Sequence, residues 1–200
     1  METIVLASTN EDKLNELRYL LSNISLNIIS QTEFSLSPIT EIGLTFVENA
    51  ILKARNVCNY TGLSAIADDS GLIVDALNGA PGVYSARYAG SNATYQDNIK
   101  KLLFDMRHVA KPERTAKFYC VAIFLKNTLD STPIICEGVW EGSILSVPRG
   151  KNGFGYDSIF FVPTHDCAAA ELPAEIKNKI SHRAQALSKL AIILENMKKV

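Results

Sequence analysis

Two adjacent carboxylates, Asp68 and Asp69, interrupt the otherwise apolar run Leu63-Ser64-Ala65-Ile66-Ala67-Asp68-Asp69-Ser70-Gly71-Leu72-Ile73-Val74. An ionised carboxylate withdrawn from water costs several kcal/mol unless a cation or hydrogen-bond donors meet it. The run therefore predicts a strand end that faces a metal, a basic side chain or a wet cleft. The plainer alternative is a strand-to-turn junction, with Asp68 and Asp69 as solvated turn formers ahead of Gly71. Under the first reading magnesium suits the donors, because it takes oxygen from one or two carboxylates and completes its shell with substrate phosphates.

Three other constellations could serve such a centre. Ser8-Thr9-Asn10-Glu11-Asp12-Lys13 falls where a first strand hands over to a first helix, a place where free N–H groups and the helix dipole receive anions. It lacks the G-x-x-x-x-G-K-[ST] pattern of a P-loop, and helix capping by Thr9 or Asn10 with a solvated Lys13 is its simpler explanation. Glu41, Glu48 and Lys53 flank or occupy a second helix. They are ordinary outer-face charges unless that helix packs beside the Asp69 strand, where Glu41 would join the aspartates and Lys53 would reach phosphate oxygen. Gly153-Phe154-Gly155-Tyr156-Asp157 sets two aromatics and a carboxylate between glycines, either as a platform on which a planar base stacks or as a β-turn with edge packing. Ser181 is a sound N-cap for the last helix, but His182 and Arg183 oppose the dipole there, a mismatch that a ligand acceptor would relieve. Lys177 could add a donor, although a lysine in Glu175-Ile176-Lys177-Asn178-Lys179 is usually solvated.

The elements that must position these groups can be read from periodicity. A strand over 3–7 leads to a helix over 11–21 with Leu14, Leu17, Leu20 and Leu21 in one stripe. A strand over 26–30 and a polar loop through Pro38 lead to a helix over 46–60, whose inner face carries Val47, Ala50, Ile51, Ala54 and Val57. The acidic strand follows directly. A turn at 78–82 precedes a helix over 95–104. Strands are expected over 116–125, 134–140, 143–147 and 158–162, the first two forming a hairpin through 127–133, and a helix over 182–197 ends the chain. Without repeats or an evident linker, the pattern fits one α/β domain over residues 1–200 with a mixed sheet.

Composition narrows the function. The chain has 200 residues and a formal net charge of -1, so it has no global basic field to hold nucleic acid. The N-terminus lacks a basic n-region and no apolar stretch is long enough to span a bilayer, so neither a signal peptide nor a membrane partner is expected. Cys58, Cys120, Cys136 and Cys167 are scattered without a C-x-x-C pair, as in a reduced cytoplasmic protein. His108, His165 and His182 lack zinc-ligand spacing.

Together these blocks resemble the inosine triphosphatase family, pyrophosphatases that remove non-canonical purine nucleoside triphosphates such as ITP, dITP and XTP. The resemblance spans nearly the whole chain and rests on Leu44 to Ala50, Ala67 to Leu72, Gly79 to Tyr88, Gly153 to Asp157 and Ser181 to Arg183, in family order. It implies an elongated α/β structure with a central mixed sheet flanked by helices, a substrate cleft between two lobes and assembly as a homodimer. It further implies that Ser8, Thr9, Asn10, Lys13 and Lys53 hold the triphosphate, and that Asp69 is the catalytic carboxylate at metal and water with Ser70 touching substrate. Asp68 and Glu41 join Asp69 as metal-site candidates, and Phe154, Gly155, Tyr156, Asp157, Lys177, His182 and Arg183 enclose the base. Two positions depart from the family pattern, which usually has glycine at Thr9 and proline at Ser158. Two rival functions stand beside this one. Asp69-Ser70-Gly71 satisfies the D-[ST]-G signature of aspartic proteases in a single copy, and a nucleotide-binding sensor would keep the pocket without turnover.

Overall fold

The computed structural model describes residues 2–22, 26–37 and 39–197. Its seven-stranded sheet has the order β2-β1-β3-β4-β5-β6-β7, comprising β1 (Glu2–Leu6), β2 (Leu26–Ser30), β3 (Ser64–Val74), β4 (Thr115–Leu125), β5 (Ile134–Ile144), β6 (Phe160–Val162) and β7 (Cys167–Ala168). The helices are α1 (Glu11–Leu20), α2 (Phe46–Thr61), α3 (Tyr95–Asp105), α4 (Ala174–Ile180) and α5 (His182–Met197). β1 pairs in parallel with both β2 and β3, whereas β6 is antiparallel to β5 and β7, so the sheet is mixed as expected. The chain divides into two compact units, Met1–Asp69 with Cys120–Gly138 and Gln185–Val200, and Ser70–Tyr119 with Val139–Ala184.

In the first unit the apolar stripe of α1 buries Leu14, Leu17 and Leu21 against Ile4, Leu6, Ile28 and Ile66, with Leu187, Leu190 and Leu194 of α5 in the same cluster. Each such leucine contributes about 1.5–3 kcal/mol by leaving water. α2 opens with a capping box: Thr45 Oγ1 accepts from the Glu48 N–H at 3.2 Å while the Glu48 carboxylate accepts from the Thr45 N–H at 2.8 Å. Two orphan amides are thereby satisfied. The polar loop expected through Pro38 begins with a 3-10 turn over Gln31–Phe34, and Pro38 itself lies outside the described residues.

β3 corrects one expectation. Asp68 and Asp69 are mid-strand rather than at its end, and the turn-former alternative fails because pairing runs unbroken to Val74. Successive side chains of a strand point to opposite faces. Ile66 and Asp68 accordingly meet α1, and Asp69 meets α2.

The second unit gathers Leu72, Leu102, Met106, Phe118, Trp140, Ile159 and Phe160 into its own core. Here 134–140 and 143–147 are one strand, β5, because Gly142 does not break it. A Cβ at Gly142 would stand 2.3 Å from the Phe161 carbonyl oxygen and 2.6 Å from the Phe160 ring, so glycine marks the close approach of the neighbouring strand. β5 stops at Ile144, whose carbonyl accepts from the buried Arg114 guanidinium at 2.8 Å. Gly142→Ala is therefore expected to cost about 1–3 kcal/mol by overpacking, seen as a lower Tm. An unchanged Tm would show that β6 yields without cost. The expected strand over 158–162 is a 3-10 turn (Asp157–Ile159) followed by β6. α4 was not expected as a helix; Pro173 fixes its entry. Among the described residues no helix is long and apolar enough to cross a membrane.

Candidate active site

In the first unit, parallel β1 and β2 and the middle of β3 bring their loops to one cavity of about 180 Å³, lined by Ser8, Thr9, Lys13, Gln31, Glu41, Lys53 and Asp68 among others. Ligands of parallel α/β sheets gather outside the carboxyl ends of strands. The loop after β1 turns through Asn10, whose Oδ1 accepts from the Lys13 N–H at 3.3 Å and caps α1. Lys13 is not simply solvated, because its Nζ lies 2.6 Å from Asp68 Oδ2.

Asp69 is held from α2. Its Oδ1 accepts from Lys53 Nζ at 2.9 Å, and its Oδ2 from Asn49 Nδ2 at 3.4 Å. Lys53 also reaches Glu41 Oε1 at 3.1 Å, so the second helix does pack beside the acidic strand and carries Glu41 to it. Burial raises the Asp69 pKa above the ordinary carboxylate value, outweighing the Lys53 ammonium that lowers it. For Lys53 burial works downward, but Asp69, Asp68 and Glu41 outweigh it and its pKa is raised. Ser70 follows with a buried Oγ that has no hydrogen-bond partner among the described residues.

Asn49 was missed from sequence. It is fully buried on the inner face of α2, and its Oδ1 accepts from the Gly43 N–H at 2.8 Å while its amide donates to Asp69. A polar side chain on an otherwise apolar helix face was the available signal. Gln31 and Asn56, also lining the cavity, were missed as well.

The second unit assembles the aromatic and basic groups. Lys177 Nζ makes a short ion pair with Asp157 Oδ2 and lies 5.1 Å from the centroid of the Phe154 ring. The same Asp157 oxygen accepts from the Phe154 N–H at 2.8 Å. Gly153, at φ +74°, leaves room for this knot: a Cβ there would meet Asp157 Oδ2 at 2.0 Å. Phe154 is 56 % exposed, with Tyr95 6.2 Å away. Tyr156 is instead a core residue whose hydroxyl donates to the Ser85 carbonyl at 2.8 Å, so Phe154 alone of the two rings offers a platform. Gly155, at φ +61°, turns the chain between them. Ser181 Oγ accepts from the Ala184 N–H at 3.2 Å, the expected N-cap. His182 stacks on Phe118 at 4.8 Å and 10°. Arg183 is 7 % exposed, and burial lowers its pKa to about 10, which leaves it cationic at neutral pH.

Among the described residues no three His, Cys, Asp or Glu side chains converge as a ready-made metal cage. The oxygen donors at hand, Asp68, Asp69 and Glu41, fit a hard cation that draws the rest of its shell from phosphate. In this chain the Asp69 carboxylate is paired with a lysine, where an aspartic protease shares one proton between two carboxylates.

Fold and site thus define a mixed-sheet α/β protein with lysine-held carboxylates beside the ends of its parallel strands. The Ham1 family model matches residues 4–193. A Coxiella burnetii protein called dITP/XTP pyrophosphatase is 54% identical over 194 residues, 97% of each chain. The solved structure of a HAM1 protein from Coxiella burnetii superposes with a TM-score of 0.95 at 54% identity, covering 98% of this chain and 100% of that one. The Staphylococcus aureus Ham1 protein does so at 0.90 and 40% identity, with the same coverage. The chain belongs to the Ham1 family.

Proposed function

We propose that this chain hydrolyses non-canonical purine nucleoside triphosphates, ITP, dITP and XTP, between the α and β phosphates, giving the nucleoside monophosphate and pyrophosphate. The observation that carries this reading is Asp69, buried yet held by Lys53 and Asn49 in the family whose relatives bear the name dITP/XTP pyrophosphatase. We assign magnesium, cytoplasmic action on the nucleotide pool and a homodimeric assembly to the same reading.

Asp69 takes the proton of the attacking water, and its raised pKa makes it a stronger base than a surface aspartate. Magnesium, when bound, polarises the phosphoryl group and lowers the pKa of water. Lys13 and Lys53, each paired with a carboxylate in this structure, turn toward phosphate oxygens and stabilise the departing pyrophosphate. Ser8, Thr9 and Asn10 cradle the tail, and Ser70 adds its hydroxyl. In the second unit Phe154 stacks on the base, Lys177 and Asp157 hold Phe154 in place, and Arg183 with His182 donates to the 6-keto oxygen. Adenine presents an amino group there and leaves those donors unmatched, a mismatch worth up to roughly 10⁴–10⁵ in specificity.

Competition among ITP, XTP, GTP, ATP and dTTP in one pyrophosphate-release assay with magnesium tests the proposal. Faster turnover of ITP and XTP is expected. Stoichiometric ITP binding without pyrophosphate would make the chain a sensor, and a preference for another base would move it to a different pyrophosphatase. Arg183→Ala is expected to shrink the ITP-over-ATP preference by about 10²-fold while lowering kcat for saturating ITP much less. Equal loss on every base would place Arg183 in phosphate binding or structure.

A further inference from the structure

Pairing of β3 with β1 runs only as far as Ile66, and further along β3 the segment over 80–85 supplies the acceptors. Val74 N–H donates to the Ala80 carbonyl at 3.2 Å, and Leu72 N–H donates to Ser85 Oγ at 2.9 Å. The same Ser85 hydroxyl donates to the Gly82 carbonyl at 2.6 Å, which fixes its rotor within the 3-10 turn over Gly82–Arg87. The Ser85 carbonyl faces another way and accepts from the Tyr156 hydroxyl at 2.8 Å. One half-buried residue thus holds the strand two positions after Ser70 with its side chain, and the loop over 153–157 with its main chain. Ser70, Ser85 and Tyr156 all belong to the second unit.

The middle of this tie is fully bonded. Asn98 of α3, itself buried, donates to the Ala86 carbonyl at 3.1 Å and accepts from the Ala89 N–H at 2.8 Å, clamping the far side of the turn. Tyr156 is buried, and burial holds its phenol above the ordinary pKa, so it stays a donor at any working pH. The two ends differ: Ser70 Oγ is buried without a hydrogen-bond partner among the described residues, and the Phe154 ring is exposed. A nucleotide that touches both ends fixes the spacing they must keep, and a misplacement of about 1 Å can cost about 10²-fold. We propose that Ser85 is a positioning residue for the nucleotide, setting the spacing between Ser70 and the Phe154 platform through two hydrogen bonds in series. This deepens the pyrophosphatase reading and rests on its placement of Ser70 and Phe154 against substrate.

The probe is an ITP analogue with a methylene group between the α and β phosphorus atoms, which is not cleaved there. It is titrated calorimetrically with magnesium into the full chain and its variants. Ser85→Ala cuts the tie at Leu72 and Tyr156→Phe cuts it at the loop. Each is expected to weaken the analogue about three- to tenfold, the worth of one neutral hydrogen bond. Inosine and inorganic pyrophosphate, which each engage one end of the nucleotide site, should bind every variant as they bind wild type. Because the bonds act in series, cutting the second frees nothing more, so the double variant should bind within about twofold of the weaker single one. Losses that multiply in the double variant would overturn the inference, since independent structural effects behave that way. So would wild-type analogue affinity in Tyr156→Phe, or a loss that falls equally on inosine. Should circular dichroism show Ser85→Ala unfolded, Tyr156→Phe decides on the contrast between analogue and inosine. If the wild-type chain binds the analogue but releases no pyrophosphate from ITP, the pyrophosphatase reading fails while Ser85 is still judged on binding.

Discussion

Asp69→Asn is expected to lower kcat for ITP by about 10³-fold or more while the protein folds and binds nucleotide. Asparagine keeps the shape and can still accept from Lys53 with its amide oxygen, but it cannot take a proton from water or carry charge to a cation. General-base catalysis alone is worth about 10²–10⁴, and the loss of a cation-facing oxygen adds to it. Because burial already penalises the charged form of Asp69, neutralising it relieves part of that cost, so Tm should hold or rise slightly. Circular dichroism, Tm and ITP titration separate this outcome from misfolding. A kcat within a few-fold of wild type would remove Asp69 from the chemistry.

Lys53→Met should show two linked effects. Its partner Asp69 is 7 % exposed, and stripping the cation from a buried pair costs on the order of 3 kcal/mol. The pH dependence fixes the cause. The Asp69 pKa lies above its ordinary value, so protonating Asp69 favours the folded state. That contribution is full below the usual carboxylate pKa and is lost as pH rises through the folded value. Removing Lys53 raises the Asp69 pKa further, so the stability deficit of the variant is greatest at neutral pH and shrinks in acid, where Asp69 is neutral. For the same reason the acid limb of the kcat/KM profile moves to higher pH. The raised pKa of Lys53 acts with the same sign in a higher window: its contribution is full below the ordinary lysine value and is lost only as pH rises through the still higher folded value. A deficit independent of pH would mean that Lys53 matters through packing.

Much of this arrangement was legible before the structure, for physical reasons that can be named. The leucine stripe of α1 and the apolar inner face of α2 are local signals, and both elements appear within a residue or so of expectation. The charged pair inside an apolar run demanded cationic company, and Lys13 and Lys53 supply it. The errors arose where a long-range neighbour decides. Glycine at 142 reads locally as a break, yet it is strand because Phe160 and Phe161 press against it. Tyr156 looks like a second stacking ring until the Ser85 carbonyl claims its hydroxyl. Gln31 and Asn56 follow no motif spacing, and only the folded chain brings them to the cavity beside Lys13 and Lys53.

One small linkage has a kinetic consequence. The side chain of Asn49 reaches in two directions, grasping the Gly43 amide with its oxygen and the Asp69 carboxylate with its nitrogen. A Cβ at Gly43 would press on Asn49 Oδ1 at 2.7 Å, so the segment that bears Glu41 sits tight against this yoke. Any tug on that segment is transmitted to the orientation of Asp69, so if Asp69 is the base proposed above, sequence drift around residues 41–45 should surface as slower turnover at undiminished nucleotide affinity.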